Sequence, residues 1–147
     1  MPQSSVTRLP RPKSVAILMA VAIVALAGLF GSPASAQSSK RVVKEGHAAG
    51  HTVLTNAAGL TLYSLSVEKH GHFICTGSCV STWMPLLVRP GVKPVGPVSL
   101  GVVKRPDGKR QVTFAGRPLY TFDGDSRKGQ ANGEGFKDVG TWHAAKP

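Results

Sequence analysis

Glutamate is scarce in this chain, which has 147 residues and 7 acidic side chains against 18 basic ones. Helical periodicity is lacking throughout the region after residue 36, while 17 Gly and 11 Pro interrupt the chain. That composition argues against a helical bundle and favours short strands joined by turns. The length excludes a large multidomain enzyme and suits a single domain after residue 36. A hydrophobic share of 41% is enough for a small core, so wholesale disorder is excluded as well. Cysteine occurs twice. No Ser/His/Asp order and no activated cysteine stands out as catalytic machinery.

One long apolar run is present, and it lies at the front. Arg8, Arg11 and Lys13 precede Val15 to Phe30, an uncharged apolar stretch that Gly31, Ser32 and Pro33 break. Ala34-Ser-Ala36 then places small residues where a signal peptidase inspects the chain. Residues 1–36 read as an export signal, with cleavage expected between Ala36 and Gln37. The alternative is a signal retained as a membrane anchor, since the run falls just short of a spanning helix. There is no Arg-Arg pair for the twin-arginine route and no cysteine near the cleavage point to carry a lipid. The expected product is soluble and periplasmic or extracellular. Three of the 18 basic residues and none of the 7 acids precede residue 37, so the remainder keeps a net charge of +8.

Residues 37–50 are polar and basic and read as a flexible lead-in. From His51 to Val67 the pattern is strand, turn, strand, with Tyr63, Leu65 and Val67 on one face by period-two alternation. Residues 68–79 form a loop carrying His70, His72, Cys75 and Cys79. Trp83 to Val88 is apolar enough to cross a core. A Pro/Gly connector spans 89–98. Leu100–Lys104 and Arg110–Phe114 flank Pro106-Asp107-Gly108, a hairpin turn in which Pro presets φ and Gly accepts a positive φ. Tyr120 and Phe122 share a face of the next strand, and Thr141-Trp-His143 closes the chain.

The two halves echo each other. Gly59-Leu-Thr-Leu-Tyr-Ser-Leu65 aligns with Gly116-Arg-Pro-Leu-Tyr-Thr-Phe122, and each tyrosine is followed by a loop and a tryptophan, Trp83 or Trp142. The expected fold is an all-β, small single domain of short antiparallel strands and hairpins built from two tandem repeats. Within residues 51–147, repeat one covers about 51–88 and repeat two about 99–145.

These motifs resemble a family of bacterial secreted repeat proteins of unknown function, described as predicted lipoproteins with a Tyr-X4-Asp motif. The second copy matches as Tyr120-Thr-Phe-Asp-Gly-Asp125; the first is Tyr63-Ser-Leu-Ser-Val-Glu68, with Glu in place of Asp. The family's Cys-x-Gly-x-Cys and Trp-x-Pro-Leu elements correspond to Cys75-Thr-Gly-Ser-Cys79 and Trp83-Met-Pro-Leu86. Its Asn-Gly and Gly-x-Trp elements correspond to Asn132-Gly133 and Gly140-Thr-Trp142. Many members carry a lipid-modified cysteine after the signal, and this chain does not. The resemblance implies export and assigns no activity.

The densest chemistry is His70-Gly-His72-Phe-Ile-Cys75-Thr-Gly-Ser-Cys79. An oxidising compartment favours a Cys75–Cys79 disulfide, provided Thr76-Gly77-Ser78 turns back. Closing so short a loop contributes about 2 kcal/mol. The alternative is a zinc or copper site on His70, His72, Cys75 and Cys79, although the spacing is compressed and a metal needs reduced thiols. A redox site is disfavoured by three intervening residues where disulfide oxidoreductases have two. Glu68, Asp123 and Asp125 read as carboxylates in turns rather than a hydrolase pair. Tyr63, Tyr120, Trp83 and Trp142 read as core rather than a binding platform. Lys104, Arg105, Lys109 and Arg110 around the hairpin turn, together with Arg127, Lys128, Lys40, Arg41 and Lys44, form a basic surface that either maintains solubility or attracts anionic cell-envelope polymers or lipid headgroups. Nucleic acid is not expected, because no recognition motif accompanies the charge. The functional expectation is an exported, non-enzymatic envelope or secreted protein, a binding or scaffolding domain with no cofactor. Periplasmic handling of zinc or copper is the alternative.

Overall fold

The computed structural model describes residues 39–147, so the export signal and its cleavage point lie outside the described residues. The first strand, β1 (Ser39–Arg41), lies parallel to β7 (Lys93–Val95), and every other strand pair is antiparallel. A hairpin follows, β2 (Val43–Ala48) and β3 (His51–Asn56), turning through Ala49 and Gly50. Both turn residues have positive φ, the twist that matches a two-residue hairpin to its strands.

Four short strands form the central sheet in the order β12 (Trp142–Ala144), β4 (Tyr63–Leu65), β11 (Tyr120–Phe122) and β5 (Trp83–Pro85). Tyr63 stands directly opposite Tyr120 at its centre. On the outer pairs, Trp142 faces Leu65 and Trp83 faces Phe122. A second sheet centres on β9 (Arg110–Phe114), with β8 (Leu100–Lys104) along one side. The other side is shared by β6 (Leu87–Val88) and β10 (Arg117–Pro118).

Neighbouring strand residues point to opposite faces, and here both faces are covered. Val53, Tyr63, Tyr120 and Ala144 enter one core cluster, whereas Leu54, Leu62, Leu119 and Ala145 enter the other. Strands buried on both faces lose the simple apolar–polar alternation. Trp83 and Trp142 lie at the centre of the first cluster, stacked at 3.8 Å with ring planes 6° apart.

The all-β class and the antiparallel hairpins agree with the sequence, and three details differ. Residues 39–48, expected within a flexible lead-in over 37–50, form β1 and β2, held by the buried Val43 and by pairing to β3 and β7. The 89–98 connector contains β7. Val67, expected on the buried face with Tyr63 and Leu65, is 46% exposed, because β4 ends at Leu65 and the chain turns.

Candidate functional site

The pairing of β4 with β11 brings the two tyrosines side by side. The acid five residues after each reaches the tyrosine of the other segment. Tyr63 Oη donates to Asp125 Oδ2 at 2.5 Å, and Tyr120 Oη donates to Glu68 Oε2 at 2.7 Å. The second oxygen of each acid closes its own loop. Glu68 Oε1 accepts the Ile74 and Cys75 N–H groups, both at 2.6 Å, and Asp125 Oδ1 accepts the Asn132 N–H at 2.9 Å. Glu68 is 0% and Asp125 4% exposed. Buried carboxyl groups are tolerated where donors surround them, and these acids are so placed.

Burial pushes both phenols well above the ordinary tyrosine range. The neighbouring acids add to the rise, Asp125 for Tyr63 and Glu68 for Tyr120. Arg105 pulls Tyr120 partly back, and no cation does so for Tyr63. The two phenols are therefore held as neutral hydrogen-bond donors.

Arg105, expected in the basic surface of the hairpin, is instead 3% exposed. Its Nη2 donates to the Cys75 carbonyl at 2.8 Å, and its Nη1 donates to Gln111 Oε1 and, at 3.3 Å, to Tyr120 Oη. Gln111 in turn donates to the Leu119 carbonyl. The guanidinium lies over the Phe73 ring at 4.9 Å. Its Nε has no hydrogen-bond partner among the described residues, with Asp107 Oδ2 at 3.8 Å. A planar group with several donors suits this position, since it links three elements at once. Lys104, Lys109 and Arg110 are exposed as expected.

The sulfurs of Cys75 and Cys79 are at bonding distance with Cα atoms 5.2 Å apart, and Gly77 between them has φ of +58°. Cys79 begins α1 (Cys79–Thr82), a single helical turn leading into Trp83. His70 and His72 are exposed in the preceding turn, and the His70 backbone N–H donates to the Gly116 carbonyl. Among the described residues, no group of three or more His, Cys, Asp or Glu side chains converges as a metal site requires. Asp123 is exposed and stands apart from the Glu68 and Asp125 network.

At the carboxyl end, Glu134 accepts the Ala144 N–H at 2.6 Å and lies 3.0 Å from His143 Nδ1. Burial alone would raise its pKa, but His143 and the Ala144 N–H outweigh that and lower it. Sequence reasoning missed the exchange of acids and the buried role of Arg105. The two equal Tyr-to-acid spacings mark these four residues as a set but not which acid meets which tyrosine.

The architecture is that of a small all-β domain whose motif side chains bond one another inside it. Residues 101–146, which run from β8 through β12, match the model of a family described as a secreted repeat of unknown function. This is the family that the Tyr-X4-acid, Cys and Trp motifs resemble. No curated protein and no solved structure matches the chain significantly.

Proposed function

We propose that the chain is an exported, non-enzymatic domain of two tandem repeats that binds or scaffolds at the cell envelope. One observation carries this reading: the polar atoms of the family motif are engaged inside the protein. Tyr63, Glu68, Tyr120 and Asp125 bond one another or loop backbone, leaving them to hold surface loops in place. The match to a secreted family supports export.

The two-repeat reading draws on a correspondence between hydrogen bonds. Glu68 accepts from the residue seven positions on, Cys75, and Asp125 accepts from Asn132 at the same interval. The N–H of Leu86 donates to the Leu119 carbonyl, and that of Ala145 to the Leu62 carbonyl. Each tryptophan strand thus pairs with the tyrosine strand of the other segment, which buries the apolar faces of both units together.

On this reading, the buried core presents the Cys75–Cys79 loop and the exposed tip of the β8–β9 hairpin. Anionic envelope material is the expected partner, attracted by the net positive charge. The test is co-sedimentation of the exported protein with washed envelopes of the producing cell across a salt series. Binding that weakens with salt is expected, because exposed charges are screened. Failure to sediment even at low salt would overturn the reading.

A further inference from the structure

A groove of about 500 Å³ runs beside the β8–β9 turn. Its lining combines the apolar Leu87, Val88 and Pro90 with the cations Arg89, Lys109 and Arg110. Its geometry follows from register. β6 pairs with the start of β9, Val88 opposite Arg110, so the turn overhangs the residues leaving β6. Leu87 is 40% exposed, an apolar side chain at the surface amid cations.

The groove keeps a net positive charge, three cations against one acid. Asp107, the acid in its lining, is already engaged: it accepts the Lys109 N–H at 3.0 Å and lies within 4 Å of both Lys109 Nζ and Arg105 Nε. Among the described residues, neither Arg89 nor Arg110 forms an ion pair. A guanidinium presents a donor fork that matches phosphate oxygens two at a time. A purely hydrophilic polyanion would satisfy these cations but gain nothing from Leu87, Val88 and Pro90. A lipid with an anionic headgroup uses both, its phosphate meeting the cations and its glycerol and upper acyl carbons the apolar side chains.

We propose that this groove docks the protein onto a membrane surface rich in anionic phospholipid. The proposal rests on the envelope-binding reading above and names the chemistry of its partner. The probes are mixed phosphatidylglycerol–phosphatidylcholine vesicles, with pure phosphatidylcholine vesicles and soluble polyphosphate as comparisons. The protein is used as recovered after export, its mass recording which residues it retains.

The expected result is partition onto the mixed vesicles and far less onto pure phosphatidylcholine. The triple variant Arg89→Ala, Lys109→Ala, Arg110→Ala should keep the wild-type melting temperature and lose partition on the order of a hundredfold, each cation contributing about fivefold. Leu87→Ser should weaken vesicle binding and leave polyphosphate binding unchanged. Equal binding to both vesicle types, a triple variant that partitions like wild type, or polyphosphate binding without vesicle binding would each overturn the proposal. If envelopes are bound and the mixed vesicles are not, the lipid assignment falls and the envelope-binding reading stands. If neither is bound, both fall.

Discussion

The two tyrosine–acid bonds at the centre of the molecule have the same plan but different surroundings. Around Glu68, two backbone N–H groups and the Tyr120 hydroxyl converge on one carboxyl group, and Arg105 reaches the same hydroxyl. The Cys75–Cys79 loop starts at one of those N–H groups. Around Asp125 there are two donors, Tyr63 and Asn132, with no disulfide. The longer Glu side chain thus accompanies a more heavily braced loop. The shorter Asp shares the closing of a Gly-rich loop with Gln130, which accepts the Ser126 and Arg127 N–H groups, and with Asn132, which donates to the Gly124 carbonyl. Gly133 there leaves room for the Trp83 ring, which an added Cβ would approach to 2.7 Å. One arrangement of strands therefore supports two loops braced in different ways, one by a disulfide and one by side-chain hydrogen bonds alone.

Removing each acid should break this comparison most sharply. Glu68→Ala orphans three donors, of which the Cys75 N–H and the Tyr120 hydroxyl are buried, and should cost about 3–5 kcal/mol, read as a shift in the denaturant midpoint. Asp125→Ala orphans two and should cost less, about 2–3 kcal/mol. A larger loss at Asp125 would invert the ranking. Next in size, replacing both Cys75 and Cys79 by Ser should cost about 2 kcal/mol, because the closed loop is short. The accompanying rise in amide exchange should be confined to the Glu68 loop, leaving the Asp125 loop protected.

Alkaline titration sharpens the comparison further. The chain has two tyrosines, so the tyrosinate absorption band reports these two sites and no others. Their folded pKa values are raised, which fixes the sign. The stabilisation is complete below the unfolded value of about 10 and is lost as pH rises above it. Tyrosinate absorption should therefore appear together with loss of near-ultraviolet circular dichroism, both phenols ionising in the one transition. A phenol that ionises while the fold persists would contradict its buried, acid-bonded placement. The smallest effect is expected at the exposed hairpin tip, where Lys109→Ala should change stability by less than about 0.5 kcal/mol.

Local features were legible in the sequence. The β8–β9 hairpin follows from Pro106-Asp107-Gly108, and the buried rings follow from Tyr63, Trp83, Tyr120 and Trp142 on apolar strands. The Cys75–Cys79 pairing is favoured by the oxidising compartment that an export signal implies, with Gly77 letting the short loop turn back. What stayed hidden depends on long-range placement. Glu68 and Tyr120 are 52 residues apart, and Tyr63 and Asp125 are 62 apart, so local patterning does not connect them. Arg105 sits between Lys104 and Pro106 in a basic stretch, and its burial is set by partners from Cys75, Gln111 and Tyr120. The strands over 39–48 were obscured for a similar reason. They present mostly polar side chains, and their order comes from pairing to β3 and β7.

The account stands on the exchange of acids between the two tyrosine segments. Double-mutant cycles in denaturant unfolding test that most directly, using Tyr→Phe and acid→Ala variants. Coupling of about 0.5–3 kcal/mol is expected for Tyr63 with Asp125 and for Tyr120 with Glu68, and less than about 0.5 kcal/mol for each tyrosine with the acid of its own motif. Strong coupling within the motifs, Tyr63 with Glu68 or Tyr120 with Asp125, and none across them would contradict the account.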